Sequence, residues 1–480
     1  MVKKNWKLIL ICAVALAVRI ISFGDIPGGF NQDGVMAAVD AKYLAEYGTD
    51  RLGMFMPVHF TAWGFGQMSV LMSYLMVPFI KLFGLSVVTA RLPILVFSLI
   101  GLAALYYLSK KAFNEKLALL ILAFAAINPW HIMQSRWALD CNMFPHFFLI
   151  GVMLLAYKKH IMSMVFFALS MYCYGVSIYC VPVFLIAACI YLVRNKKISV
   201  KKCVLCAFVY LLIAWPFILC MAINAFGGET IYLPFCTIPY FENSLRASDI
   251  LFFSSEPLSQ LWSSFTGLVK IIFQVSDDSL SNQLPAFKTM YIISWPFFII
   301  GAVKMFKNIR RNDATTLICI WFLCAVFTCL VTSGAGGLNV NRANIIFYPM
   351  IIFCSVGLYS CIKAVPALKV PLIASYAVAF SLFVYSYFTT YAETIKYTFM
   401  EDFGQALSYA STIDADKVYI TPNSQMKGTW YVSRILAMYY CDDYSDEKYS
   451  FSDKENAEVL VLDEPESGAV QFGRFYVVTR

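Results

Sequence analysis

The sequence predicts an all-α protein threaded many times through a membrane, with a small α/β domain at its C-terminal end standing outside the bilayer. Three observations predict this. Of 480 residues, 60% are hydrophobic and 14% charged, against about 45–50% and about 25% in an ordinary soluble domain. Apolar runs long enough to cross a bilayer recur from residue 6 to residue 390. Charge is divided, because residues 391–480 hold 15 Asp/Glu against 8 Lys/Arg, whereas the other 390 hold 14 against 29. The net +8 is thus a basic membrane body offset by an acidic tail. It implies no nucleic-acid partner, since the bases do not gather on a soluble face.

The runs fall at 6–23, 91–108, 117–134, 142–157, 161–177, 179–193, 203–223, 289–306, 315–332, 344–362 and 370–390. Lys3, Lys4 and Lys7 precede the first in the manner of a signal peptide, but no small-x-small cleavage site follows cleanly, so it reads as a retained span. Basic clusters at Lys110/Lys111/Lys116, Lys158/Lys159, Arg194–Lys202, Lys304–Arg311 and Lys363/Lys369 share one side with these lysines only if a twelfth run, 67–83, does not cross. That run reads as a helix on the outer interface or re-entering. About eleven crossings follow, with a cytoplasmic N-terminus and an extracytoplasmic C-terminal domain at the cell membrane.

The outward segments are then 24–90 (a first outer loop with juxtamembrane helices), the stretch around 131–142, 224–288, and the glycine-rich Ser333–Asn344. Within 224–288, Asp249–Phe273 carries apolar residues at helical spacing and reads as a surface helix. Residues 1–390 form the membrane domain and 391–480 the outer one. The latter reads as helix Ala392–Ser411, strand Lys417–Thr421, helix Thr429–Tyr440, and strands Glu458–Leu462 and Arg474–Thr479. The 15 cysteines are odd in number and mostly inside apolar runs, without Cys/His spacing, so neither a disulfide framework nor a zinc site is indicated.

Asp33 lies about ten residues past the first span in a Gly/Pro/Asn turn, where a carboxylate suits either general-base work or an Asx turn. Asp40 reads as a solvated helix face. Arg136 and Asp140 stand i, i+4 at a span end, either as a structural pair or as the mouth of a polar cavity. His131 beside Trp130 and Tyr174/Tyr179 read as interfacial belt residues, the tyrosines alternatively as contacts to a sugar or phosphate. Backbone N–H groups of the glycine-rich loop, with Asn341 and Arg342, could hold a phosphate; Arg342 could equally snorkel, as Arg19 could. With four His in the chain, no His-rich metal site is expected.

Taken in order, these residues resemble the GT-C superfamily of membrane glycosyltransferases, in the branch of the protein mannosyltransferases and lipid A aminoarabinose transferases. The resemblance rests on Phe30-Asn-Gln-Asp33, Val77-Pro-Phe-Ile-Lys-Leu-Phe-Gly84, Ala90-Arg-Leu-Pro93, Asn128-Pro-Trp-His-Ile, Ser135-Arg-Trp-Ala-Leu-Asp140 and Asn341-Arg342-Ala. Members often carry Asp-Glu where this chain has Asp33-Gly34. A second outer-loop acid near 60–70 is replaced by His59-Phe-Thr-Ala-Trp-Gly-Phe-Gly-Gln67.

The resemblance implies transfer of a sugar from a polyprenyl-phosphate donor to a glycan, lipid or protein acceptor on the outer face, within membrane lipid. Asp33 maps to the catalytic position. Arg342 and Arg136 would bind the donor phosphate, with Asp140, Asn341, Tyr174, Tyr179 and His59 supporting. Arginine alone can neutralise a leaving monophosphate, so no cofactor or obligatory metal is implied, and single displacement would invert the anomeric centre. A flippase or transporter of lipid-linked saccharides is the alternative, but it would call for paired mid-membrane charges and inverted repeats, and no repeat is visible. A polymerase or ligase using lipid-pyrophosphate donors is a second.

Overall fold

Apolar runs become helices where the sequence places them, and polar turns end them. The computed structural model describes residues 2–62, 67–242, 250–274, 279–332, 337–424 and 430–480. In chain order the membrane body holds α1 (Val2–Ile20), α2 (Gln32–Tyr47), α3 (Leu71–Phe83), α4 (Val87–Ala112), α5 (Glu115–Ala126), α6 (Pro129–Gln134), α7 (Asp140–Ala156), α8 (His160–Ser170), α9 (Ser177–Arg194) and α10 (Val200–Phe226). After these come α11 (Pro257–Ile272), α12 (Trp295–Lys307), α13 (Asp313–Val331), α14 (Val340–Ala343), α15 (Phe347–Ala364) and α16 (Lys369–Ser386). Caps mark the boundaries: Ser86 and Thr89 form a capping box at the start of α4, and Asn114, Asn128, Ser199, Asn312 and Asn339 each accept a first-turn N–H.

Among the described residues, six stretches are long and apolar enough to cross a membrane: Val87–Ala112, Ser177–Arg194, Val200–Phe226, Asp313–Val331, Val340–Ala364 and Pro366–Thr398. The other expected crossings fall on shorter or more charged helices. The run 117–134 is broken at Asn128, where a side-chain cap and Pro129 start a new helix. The run 161–177 holds the 11-residue α8, and 289–306 the 13-residue α12. In 67–83, α3 has 13 residues, about 20 Å at 1.5 Å per residue, which is short of the roughly 30 Å hydrocarbon core. Gly301 of α12 and Gly357 of α15 face each other so closely that a methyl on either would overlap the other helix's backbone. Small residues allow such contact where lipid supplies no hydrophobic drive.

The segments between α2 and α3 and between α10 and α11 each carry a short antiparallel pair, β1 (Phe60–Thr61) with β2 (Gln67–Met68) and β3 (Ile231–Tyr232) with β4 (Thr237–Ile238). Val58 N–H donates to Thr237 O at 3.0 Å and joins the two segments. Of the expected surface helix Asp249–Phe273, residue 249 lies outside the described residues. The remainder holds α11, which exposes Leu258, Trp262 and Phe265 while burying Leu268 and Ile271.

At 390/391, where the C-terminal domain is expected to begin, the chain is helical. Helix continues through Tyr387–Tyr391, a π-turn, into α17 (Ala392–Thr398), and the break falls at Phe399–Met400, where Met400 has φ +53°. The single helix expected over Ala392–Ser411 is therefore two, the second being α18 (Glu401–Ala410). Beyond it come β5 (Val418–Ile420), α19 (Trp430–Tyr440), β6 (Tyr449–Ser450), β7 (Val459–Leu462), β8 (Val470–Phe472) and β9 (Phe475–Thr479). They form a mixed sheet in the order β6-β5-β7-β9-β8, with β5 parallel to both neighbours and Leu460 opposite Val478 in the antiparallel pair. Arg474, in the β8–β9 turn, grips Asp402 at 2.7 and 3.0 Å and fastens the sheet to α18.

Candidate active site

Asp33 reaches its position because the chain leaving α1 is held by arginines. Arg136 donates to Val18 O (3.0 Å), Ile21 O (2.7 Å), Ser22 O (2.9 Å) and twice to Ile26 O (3.2 and 3.0 Å). Arg91 donates to Phe23 O, Gly24 O and Gly29 O. Both are fully buried, so these carbonyls supply the acceptors their charge requires. The C-terminal domain closes the loop from outside. Phe30 N–H donates to Phe399 O at 2.7 Å, and the Phe30 ring meets Tyr439 at 5.3 Å.

The loop ends at Asn31, and α2 begins with Asp33 in its first turn. Against it stands Ser135–Leu139, followed by α7 with Asp140 in its first turn. Gly34 permits the approach, since a Cβ there would overlap Ala138 O and Asn31 Oδ1. Asp33 and Asp140, both half-buried, line one cavity of about 90 Å³ together with Tyr174, Asn341, Gln67 and Cys141. Both carboxylates act electrostatically on the Cys141 thiol. The cavity thus gathers the starts of α2 and α7, the turn before α9, the β1–β2 hairpin and the start of α14. Helix N-termini present unsatisfied N–H groups and a positive dipole end, a setting that favours a phosphate or carboxylate.

Asn344 fastens two of these pieces. Its amide accepts from Trp130 Nε1–H at 2.7 Å and donates to Cys141 O and Asn142 Oδ1, both at 3.2 Å. Deeper in the bundle Arg19 donates to Ala15 O, Ala126 O and His131 Nδ1. A guanidinium can only donate, so His131 carries its proton on Nε2 and donates to Tyr348 Oη (3.0 Å), which donates to His146 Nδ1 (2.8 Å).

Among the predicted residues, Asp33, Asp140, Asn341 and Tyr174 come together. Arg342 follows Asn341 and donates to Thr332 O at 3.2 Å. Residues 333–336 of the glycine-rich loop lie outside the described residues. Arg136 is buried away from this cavity, its fork taken up by backbone carbonyls. Nor does it share a helix face with Asp140, because Ser135–Leu139 is not helical. Arg19 does not snorkel and His131 is no interfacial anchor; both are buried in the chain just described. Tyr179 does not line the cavity. His59 packs edge-on to Phe217 and Phe241 at 5.7 and 6.1 Å, behind the β1 strand. Among the described residues, no group of three or more His, Cys, Asp or Glu is arranged to hold a metal.

Asp40 is the clearest departure from expectation. It is fully buried, 2.5 Å from Arg51, whose guanidinium also donates to Thr61 O of β1 and so ties α2 to the hairpin that walls the cavity. Burial pushes the carboxyl up to about 6, outweighing the pull of Arg51. The folded chain therefore holds this proton more tightly than the unfolded one. The associated stability is full below the ordinary carboxylate range and is lost as pH rises to about 6. Arg51→Met strands the charge and is expected to cost about 3–5 kcal/mol at neutral pH. The deficit should narrow toward pH 5 as Asp40 takes up a proton. Unfolding of the purified chain at both pH values checks this, and equal deficits would mean that Asp40 is solvated.

No protein-family model and no curated protein matches the sequence. Solved structures do match its fold. ArnT from Cupriavidus metallidurans in the apo state superposes with a TM-score of 0.58 at 12% identity, over 99% of this chain and 98% of its own. The same protein bound to undecaprenyl phosphate gives 0.57 at 12%, over 98% of each. The archaeal oligosaccharyltransferase AglB from Archaeoglobus fulgidus, in complex with an inhibitory peptide and a dolichol-phosphate, gives 0.52 at 13%, over 94% of this chain and 62% of its own. The chain shares the fold of these proteins.

Proposed function

We propose that this protein is an integral-membrane glycosyltransferase that moves a sugar from a polyprenyl-phosphate donor to a hydroxyl or amine acceptor at the outer face. One observation carries the reading: two carboxylates from separate segments, Asp33 and Asp140, share a small polar cavity with Tyr174 and Asn341. It sits on a fold whose solved examples include one bound to undecaprenyl phosphate and one holding a dolichol-phosphate. In this reading the N-terminus is cytoplasmic, the C-terminal domain is extracytoplasmic, and the helices number about eleven crossings.

The chemistry follows from the bonds. The acceptor X–H loses its proton to Asp33 as it attacks the anomeric carbon; the C–O bond to phosphate breaks, and polyprenyl phosphate departs with the electron pair. Attack and departure on opposite faces invert that carbon. Asp140 orients the acceptor from the facing wall. Arg342, next to Asn341, meets the growing phosphate charge, and contributes most if its contact strengthens in the transition state. No step runs through a metal, because a guanidinium suffices for a monophosphate.

The purified chain incubated with polyprenyl-phospho-sugars should release polyprenyl phosphate, in the presence of excess EDTA as well. Arg342→Ala should slow that release about 10²-fold, as expected when one transition-state charge partner is removed. Turnover confined to pyrophosphate-linked donors would overturn the reading in favour of a polymerase or ligase.

A further inference from the structure

At the opposite end of α9 from the cavity lies a second concavity that the transfer chemistry does not use. A groove of about 350 Å³ opens between the end of α7 and α8, α9 and α10, within the size range of about 300–1,000 Å³ usual for ligand pockets. Its walls are apolar, with Leu155, Met164, Leu185 and Leu192 among them, and no carboxylate lines it. Ala188, in its middle, is 11 residues along α9 from Ser177, or about 16 Å at 1.5 Å per residue. It is therefore remote from Tyr174 and the catalytic cavity. Ile186 and Leu211 on its lip are exposed, so it opens sideways, toward lipid.

Two polar groups in this wall are buried without partners. His160 is 5% exposed and its Nδ1 has no hydrogen bond; Tyr210 is 9% exposed and its Oη has none. Such groups ordinarily find a partner. Around them the charge is predominantly positive. Lys158 and Lys202 both act on the His160 imidazole. Lys159 and Lys196 on the adjoining loops and Lys201 in the first turn of α10 are exposed, while Lys197 reaches Asp313 at 3.6 Å. Helical side chains lean toward the helix N-terminus, so the Tyr210 phenol points back toward the level of the cations.

We infer that this groove is a binding site for an anionic glycerophospholipid of the leaflet on the lysine side. Its phosphate sits between Lys158 and Lys202, an ester carbonyl accepts from Tyr210, and one acyl chain fills the apolar slot. Basic pockets between membrane helices select such head groups. A zwitterionic lipid would fill the slot but gain less from the lysines. The inference stands on this groove alone and not on the sugar-transfer reading.

Native mass spectrometry of the purified chain, supplied with equimolar phosphatidylglycerol and phosphatidylcholine of identical chains, tests it. The parent should retain phosphatidylglycerol preferentially, on the order of tenfold for two lysines near a head group. Lys158→Gln/Lys202→Gln should abolish the preference while leaving lipid bound. Ala207→Trp, which fills the slot from α10, should reduce retention of both lipids. Equal retention by the parent, or an undiminished preference in the double lysine variant, would overturn the site. So would displacement of phosphatidylglycerol by equimolar undecaprenyl phosphate, which would make the groove a seat for the donor's tail.

Discussion

Asp33→Asn is expected to lower turnover of a polyprenyl-phospho-sugar by about 10²–10⁴-fold, the range for removing a general base, while donor binding changes little. Asparagine keeps the size and hydrogen-bonding capacity of the side chain in the first turn of α2 but cannot take the acceptor's proton. Asp140→Asn should cost less, because that carboxylate orients and does not accept the proton. Both groups line one cavity, so the double variant should fall short of the product of the two losses. Single-turnover release of polyprenyl phosphate separates the chemical step from binding. Parental rates for Asp33→Asn would remove the base assignment. A larger loss in Asp140→Asn than in Asp33→Asn would exchange the two roles.

The membrane architecture was legible because hydrophobic run length is a one-dimensional property. Runs at 91–108 and 203–223 fall within α4 and α10, and 315–332 follows α13 to one residue past its end. The acidic tail likewise announced a polar α/β unit, and three of its five strands lie where alternation places them. Charged side chains were legible where they face the cavity, as Asp33 and Asp140 do. Arg136 and Asp140 sit at helical spacing, yet the helix stops at Gln134, and a buried guanidinium turned to the open carbonyls at the end of α1. Asp40 and Arg51 lie 11 residues apart across the Gly48 turn, a separation no periodic pattern links. Near 390 the polar composition begins before the helix ends, so composition does not mark the helix break at Phe399–Met400.

Gly34→Ala should reduce turnover by about 10²-fold, the effect of roughly 1 Å of misplacement between reacting groups, although residue 34 carries no chemistry. The α2 backbone at Gly34 lies against Ala138 O and Asn31 Oδ1, and neither space admits a methyl. Ala138 O belongs to the stretch leading into Asp140, and Asn31 to the loop that Arg91, Arg136 and Phe399 immobilise. With that side fixed, the strain must be relieved by moving the start of α2 away from α7, which parts Asp33 from Asp140. The accompanying overpacking cost of about 1–3 kcal/mol should appear as a modest drop in unfolding temperature. The turnover loss should remain under conditions where the variant is fully folded. By the same contact, Gly34→Glu would not supply a second catalytic acid but would open the cavity further, and should be inactive. Parental turnover in folded Gly34→Ala would mean that the two carboxylates work without this close approach.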